Sequence, residues 1–124
     1  METDTVNWRT TLIYALLMLV VLVGGVAASA QNPCNSDICV VQFNASWNGS
    51  NSVDYLDKLT ECEVMNVSID EGTWQKDFGI VVVPTIIVFN GKEVERFQAN
   101  IMMQMEATRK EVQNIIDEII YSDF

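Results

Sequence analysis

The chain has 124 residues, so a single small domain is the starting expectation. Its 17 acids against 7 bases give a formal net charge of -10, and it has no histidine. That balance excludes a phosphate-neutralising nucleic-acid surface and docking on anionic lipid, and the missing imidazole excludes histidine-based triads and most zinc sites. Residues 1–9 are polar, and no charge occurs from Thr10 to Ser36. Within that stretch Leu12 to Ala28, LIYALLMLVVLVGGVAA, is almost continuous hydrocarbon. As a helix it would rise roughly 25 Å, near the thickness of a bilayer core. Two readings stand. The small residues Ala28-Ser29-Ala30 before Gln31 suit a secretory signal peptide, whereas two acids and the lone Arg9 ahead of the span favour an uncleaved anchor. In both, Arg9 stays cytoplasmic and residues 31–124 lie in a periplasm or lumen. We expect residues 1–30 to be the anchor or signal segment, 31–37 a tether and 38–124 the domain.

ICVVQFNA, residues 38–45, is a continuous apolar run with β-branched residues, the pattern of a buried central strand. NGSNS offers a turn and N-cap residues, and Val53, Leu56 and Leu59 follow at helical spacing. A second strand is expected over 64–69 and a short helix ending at Gly79. A third strand starts near Thr85, just after Pro84. Asn90-Gly91 suits a tight hairpin turn into the return strand EVERFQA. Val112, Ile115, Ile116, Ile119 and Ile120 then share one face of an amphipathic helix, with Glu111, Asp117 and Glu118 on the other. Met102, Met103 and Met105 precede it and are expected to fill gaps in core or loop packing.

The order is β-α-β, a short helix, then β-β-α. A right-handed crossover makes the first two strands parallel, and the hairpin adds two antiparallel strands. The expected architecture is a four-stranded mixed α/β sheet flanked by helices and preceded by an apolar N-terminal helix.

This order, with a proline before the third strand, resembles the thioredoxin-like superfamily. VVQFNASWNGSNS resembles its active-site strand and loop, FGIVVVPTIIVFNGKEV its cis-proline, third strand and hairpin, and NIIDEII its closing helix. The likeness covers roughly residues 38 to 121. Where the family has Trp-Cys-Gly-Pro-Cys, this chain has Trp47, Asn48, Gly49, Ser50 and Asn51. Gln42 matches the family's buried strand acid. A carboxamide forms neither a thiolate nor a mixed disulfide, so dithiol exchange at this loop is excluded. The resemblance further implies a cis peptide at Pro84. It also implies that the backbone of Val82 and Val83 pairs with an extended peptide beside Trp47. The family's first strand has no room here, so the edge formed by residues 64–69 is expected to be open.

Three cysteines remain, Cys34, Cys39 and Cys62. An odd count leaves at least one unpaired or bonded to another chain, and each of the three pairings is open. The expectation is therefore a membrane-anchored, non-catalytic, protein-binding domain or accessory subunit. It needs no cofactor or metal and takes neither nucleic acid nor a small-molecule substrate. The competing readings are a thiol-disulfide oxidoreductase using Cys34, Cys39 or Cys62, and a peptide-holding chaperone using the proline groove.

Overall fold

The computed structural model describes residues 32–122. The apolar stretch 12–28 and the anchor or signal reading attached to it lie outside the described residues. Among the described residues, no helix is long and apolar enough to cross a membrane.

The central strand forms because five consecutive residues, Cys39, Val40, Val41, Gln42 and Phe43, can all be taken out of water. β1 (Ile38–Asn44) lies parallel to β2 (Glu63–Ser68) and antiparallel to β3 (Thr85–Asn90), which pairs antiparallel with β4 (Lys92–Gln98). The strand order is β2-β1-β3-β4. The hairpin between β3 and β4 pivots on Gly91 alone, at φ 79°, where Asn90 pairs with Lys92.

Strand alternation separates two cores. On one face Cys39, Val41, Phe43, Ile87 and Phe89 pack with Phe78 and Trp74 of α1 (Trp74–Phe78). That helix stops at Gly79, whose left-handed φ of 60° lets its N–H reach back to Lys76. On the other face Val40, Ile86 and Val88 meet Val112, Ile116 and Ile119 of α2 (Arg109–Ser122), the apolar stripe seen in the sequence.

The segment after β1 departs from expectation. In place of a helix through Val53, Leu56 and Leu59 there are two 3₁₀ pieces, Ser46–Asn51 and Leu56–Lys58. The cause is local. Ser52-Val53-Asp54-Tyr55 is poor in helix formers. The Gln42 side chain also takes the Val53 backbone on both sides, accepting from its N–H at 2.8 Å and donating to its carbonyl at 3.5 Å. Leu56 and Leu59 are still buried, so their hydrophobic spacing served a 3₁₀ turn.

The methionines also depart from expectation. Met105 packs against the core, but Met102 and Met103 are exposed on a loop organised by the Asn100 side chain, which accepts from the Met102 and Gln104 N–H groups.

The cysteines are settled by the alternation. Cys34 and Cys39 form a disulfide on the α1 side, and Cys62 is an unbonded thiol packed on the α2 side. Cys39 and Cys62 sit at the same end of the sheet, as the Cys39–Glu63 register shows. They project to opposite faces, so the Cys39–Cys62 pairing left open by the sequence does not form.

Ile116 has no exposed surface and carries the contact between α2 and the sheet. Ile116→Ala is expected to lower the unfolding free energy by about 2–5 kcal/mol, read as a lower urea midpoint at unchanged slope.

Candidate functional site

Asn48 marks the site. Its side chain is only 5% exposed although it lies in a surface loop. Nδ2 donates to the Val83 carbonyl at 3.3 Å, to the Met103 carbonyl at 3.4 Å and to Asn44 Oδ1 at 3.2 Å. Oδ1 accepts from Asn51 Nδ2 at 2.8 Å. One carboxamide thus joins three loops, 45–52, 81–84 and 100–104. The residues matching the family's two cysteines are Asn48 and Asn51, and they are linked by a side-chain hydrogen bond.

Asn44, at the end of β1, supports this arrangement. Its Nδ2 donates to the Asn48 carbonyl at 2.9 Å and to Ser52 Oγ at 2.7 Å, and its Oδ1 accepts from the Ala45 N–H. Two residues earlier on the same strand, Gln42 is 2% exposed and donates to Asn66 Oδ1 at 2.9 Å as well as to Val53. Among the described residues no buried side-chain nitrogen or oxygen lacks a partner. Gln42, Asn44, Ser46, Ser52 and Asn66, together with Ala45, Gly49 and Val67, line an open cleft of about 230 Å³. The loop is pinned at its start by Asp70, whose carboxylate accepts from the Ser46 hydroxyl and from its N–H, 2.9 Å away. Those bonds hold the Asp70 carboxyl below its ordinary value.

The chemistry open to the site follows. Neither Asn48 nor Asn51 ionises near neutral pH. No α-helix begins at the loop, so the helix N-terminus that would stabilise a thiolate is missing too. Polar groups inside are consumed by one another, while each of the three loops exposes apolar side chains. Trp47 is 67%, Val81 82% and Ile101 97% exposed, with Met102 and Met103 beside Ile101. The Val83–Pro84 peptide bond is cis. Val82 is half-buried and its carbonyl accepts from Thr85 Oγ1. Val83 and Pro84 are buried, and no hydrogen bond among the described residues uses the N–H of Val82 or Val83. Gly49 and Ser50 are exposed at the loop tip.

The helical order, parallel crossover, hairpin and cis-proline loop together match known structures. A mutant thioredoxin from Halobacterium salinarum NRC-1 superposes with a TM-score of 0.52 at 22% identity, covering 68% of this chain and 75% of that one. The fold is thioredoxin-like. Thioredoxin-2 of a malaria parasite, described as a component of that parasite's protein secretion machinery, gives 0.53 at 18% identity over 73% of this chain and 95% of its own. A designed protein gives 0.51 at 16% identity over 68% and 81%. No family model and no curated protein matches the sequence. Identities this low carry the fold alone. Within it, this thioredoxin-like chain places its sulfur elsewhere. The Cys34–Cys39 bridge and Cys62 lie at the start of β1 and β2, the end of the sheet opposite Asn48. Burial pushes the Cys62 thiol up, which disfavours the reactive thiolate.

Sequence reading placed Trp47, Asn48, Asn51, Val82, Val83 and Pro84 together; the structure bonds Asn48 to Asn51 and to the Val83 carbonyl next to cis-Pro84. It missed Asn44, Asp70 and the 100–104 loop. Asn44 carried one signal, a polar residue ending an otherwise buried run. The loop carried none, because its join to Asn48 runs through the Met103 backbone.

Asn48→Ala leaves Asn44, Asn51 and two carbonyls short of a partner, and is expected to cost about 1–3 kcal/mol in urea unfolding. A second expectation concerns pH. Tyr55 donates to the Ala107 carbonyl at 2.6 Å, and burial, aided by the Glu111 charge, pushes its phenol from 10.0 to about 12. The fold favours the neutral phenol, so the stability it lends is complete below pH 10.0 and falls as pH rises towards 12. Tyr55→Phe should flatten that alkaline limb in unfolding curves taken across the range.

Proposed function

We propose that the domain is a non-catalytic thioredoxin-like binding module. In this reading it is held outside the cytoplasm by the apolar stretch 12–28 and serves as a protein-binding or accessory subunit of a membrane-associated assembly. The observation that carries it is the Asn48–Asn51 carboxamide link. It occupies the redox positions with groups that cannot exchange disulfides, and the same Asn48 carboxamide ties three loops into one base. Trp47, Val81, Ile101 and Met102 stand out from that base as an apolar surface, the kind of patch that marks a docking site. The unused N–H of half-buried Val82 suits an extended peptide lying across it.

The Cys34–Cys39 bridge supports a second reading, thiol-disulfide exchange at the opposite end of the sheet. Two measurements separate them. The full chain in detergent should co-purify with a protein partner. Trp47→Glu with Ile101→Glu should weaken that association about 30-fold or more, as loss of a central aromatic anchor does. Insulin reduction by the wild type should not exceed that of a variant with all three cysteines replaced by serine. Cysteine-dependent activity would replace the binding reading with the redox one.

A further inference from the structure

The sheet has two edges, and they are built differently. β4 alternates charges through Lys92, Glu93, Glu95 and Arg96, and its pairing with β3 is shifted between Val88 and Phe89. Arg96 also folds back to donate to the Phe78 and Gly79 carbonyls of α1. Charge, irregular register and a covering side chain are the usual defences of an edge strand.

β2 has none of them along its middle. Val64, Met65, Asn66 and Val67 are uncharged, and with Ser68 and Ile69 they make a run without charge, proline or glycine. Pairing parity shows what faces outward. The Ile69 N–H donates to the Asn44 carbonyl, and Asn44 stands opposite Ser68. Glu63, Met65 and Val67 therefore turn their backbone polar groups towards β1, and Val64, Asn66 and Ser68 turn theirs away. Among the described residues, only the Ser68 carbonyl of that outward set has a partner, the Glu71 N–H at 3.4 Å. Asn66 is exposed.

The ends of this edge are acidic. Glu61 precedes the strand and Glu63 opens it, its carboxylate accepting from the Asn35 and Ser36 N–H groups, and Asp70 and Glu71 follow it. Two copies paired edge to edge in antiparallel fashion would set Glu61 and Glu63 of each against Asp70 and Glu71 of the other. With a net charge of -10 on each chain, that pairing is repelled. The same acids would attract a strand with basic ends.

We propose that β2 is a second docking surface, distinct from the Trp47 face, which takes an extended protein segment with basic flanks as a fifth strand. Backbone pairing to Val64, Asn66 and Ser68 supplies the hydrogen bonds, and Glu61 and Glu71 select the charge.

The test uses the full chain in detergent and two capped heptapeptides, Lys-Thr-Val-Thr-Val-Thr-Lys and its counterpart with glutamate at both ends. Hydrogen exchange over residues 63–69 should slow at Val64, Asn66 and Ser68 with the lysine peptide alone. Glu61→Gln with Glu71→Gln should weaken binding about three- to fivefold, the range for exposed ion pairs. The decisive signature comes from backbone N-methylation of the peptide at alternate residues. One of the two alternating sets should abolish binding and the other should leave it, because only every second amide faces the edge. Equal effects of both sets, equal binding of both peptides, or no binding of either would overturn the proposal. So would exchange at these amides that is already slow without peptide, whether at all concentrations, which would indicate another segment of this chain, or only at high concentration, which would indicate a second copy.

Discussion

A side-chain amide sealed from water must find its partners inside the protein, since an unmet donor or acceptor there costs about 1–3 kcal/mol. Gln42, Asn44 and Asn48 are three such amides, all buried and all satisfied. Their demands organise the loops at the end of β1. Gln42 holds the Val53 backbone much as a neighbouring strand would, and this replaces the helix that the apolar spacing suggested. Asn44 closes the turn at the end of β1. Asn48 ties that turn to the cis-proline loop and to the Met103 loop. Removing any of the three would leave the sheet paired and the loops without their attachment.

This constraint sets the loop apart from a dithiol site built on the same frame. A dithiol site must alternate between bonded and unbonded sulfur, so its loop needs room and a means of stabilising charge. A pair of carboxamides has one covalent state. Their hydrogen bond crosses the loop from Asn51 to Asn48. In the binding reading, a loop tied in this way loses less conformational entropy when a partner docks.

Much of the fold was legible in the chain. The buried run Cys39 to Phe43, the hairpin at Gly91 and the isoleucine stripe of α2 each carry a local physical signal that the structure obeys, although the turn takes Gly91 alone and leaves Asn90 paired in β3. That a carboxamide forms no thiolate at Asn48 or Asn51 depends on residue identity alone. What was not legible is long-range. Val53, Leu56 and Leu59 fit helix and 3₁₀ turn equally well, and the choice is made by Gln42 from another element. Met102 and Met103 look like core residues by composition, yet Asn100 holds their loop on the surface. The cysteine pairing turned on which face of the sheet Cys62 occupies, a matter of register between strands 24 residues apart.

The segment ahead of the sheet is bound firmly at one place. The Asn32 N–H donates to the Gly91 carbonyl, Cys34 is bonded to Cys39, and the N–H groups of Asn35 and Ser36 both donate to Glu63. All these attachments lie where β1 and β2 begin, while Trp47 and Ile101 lie beyond where β1 ends. A seven-residue strand spans about 23 Å, so the chain enters the domain at one pole and offers its apolar surface at the other. Anything fixed at Asn32 therefore acts as a mounting post. It turns the Trp47 face outward, at a standoff set by the length of a single β-strand.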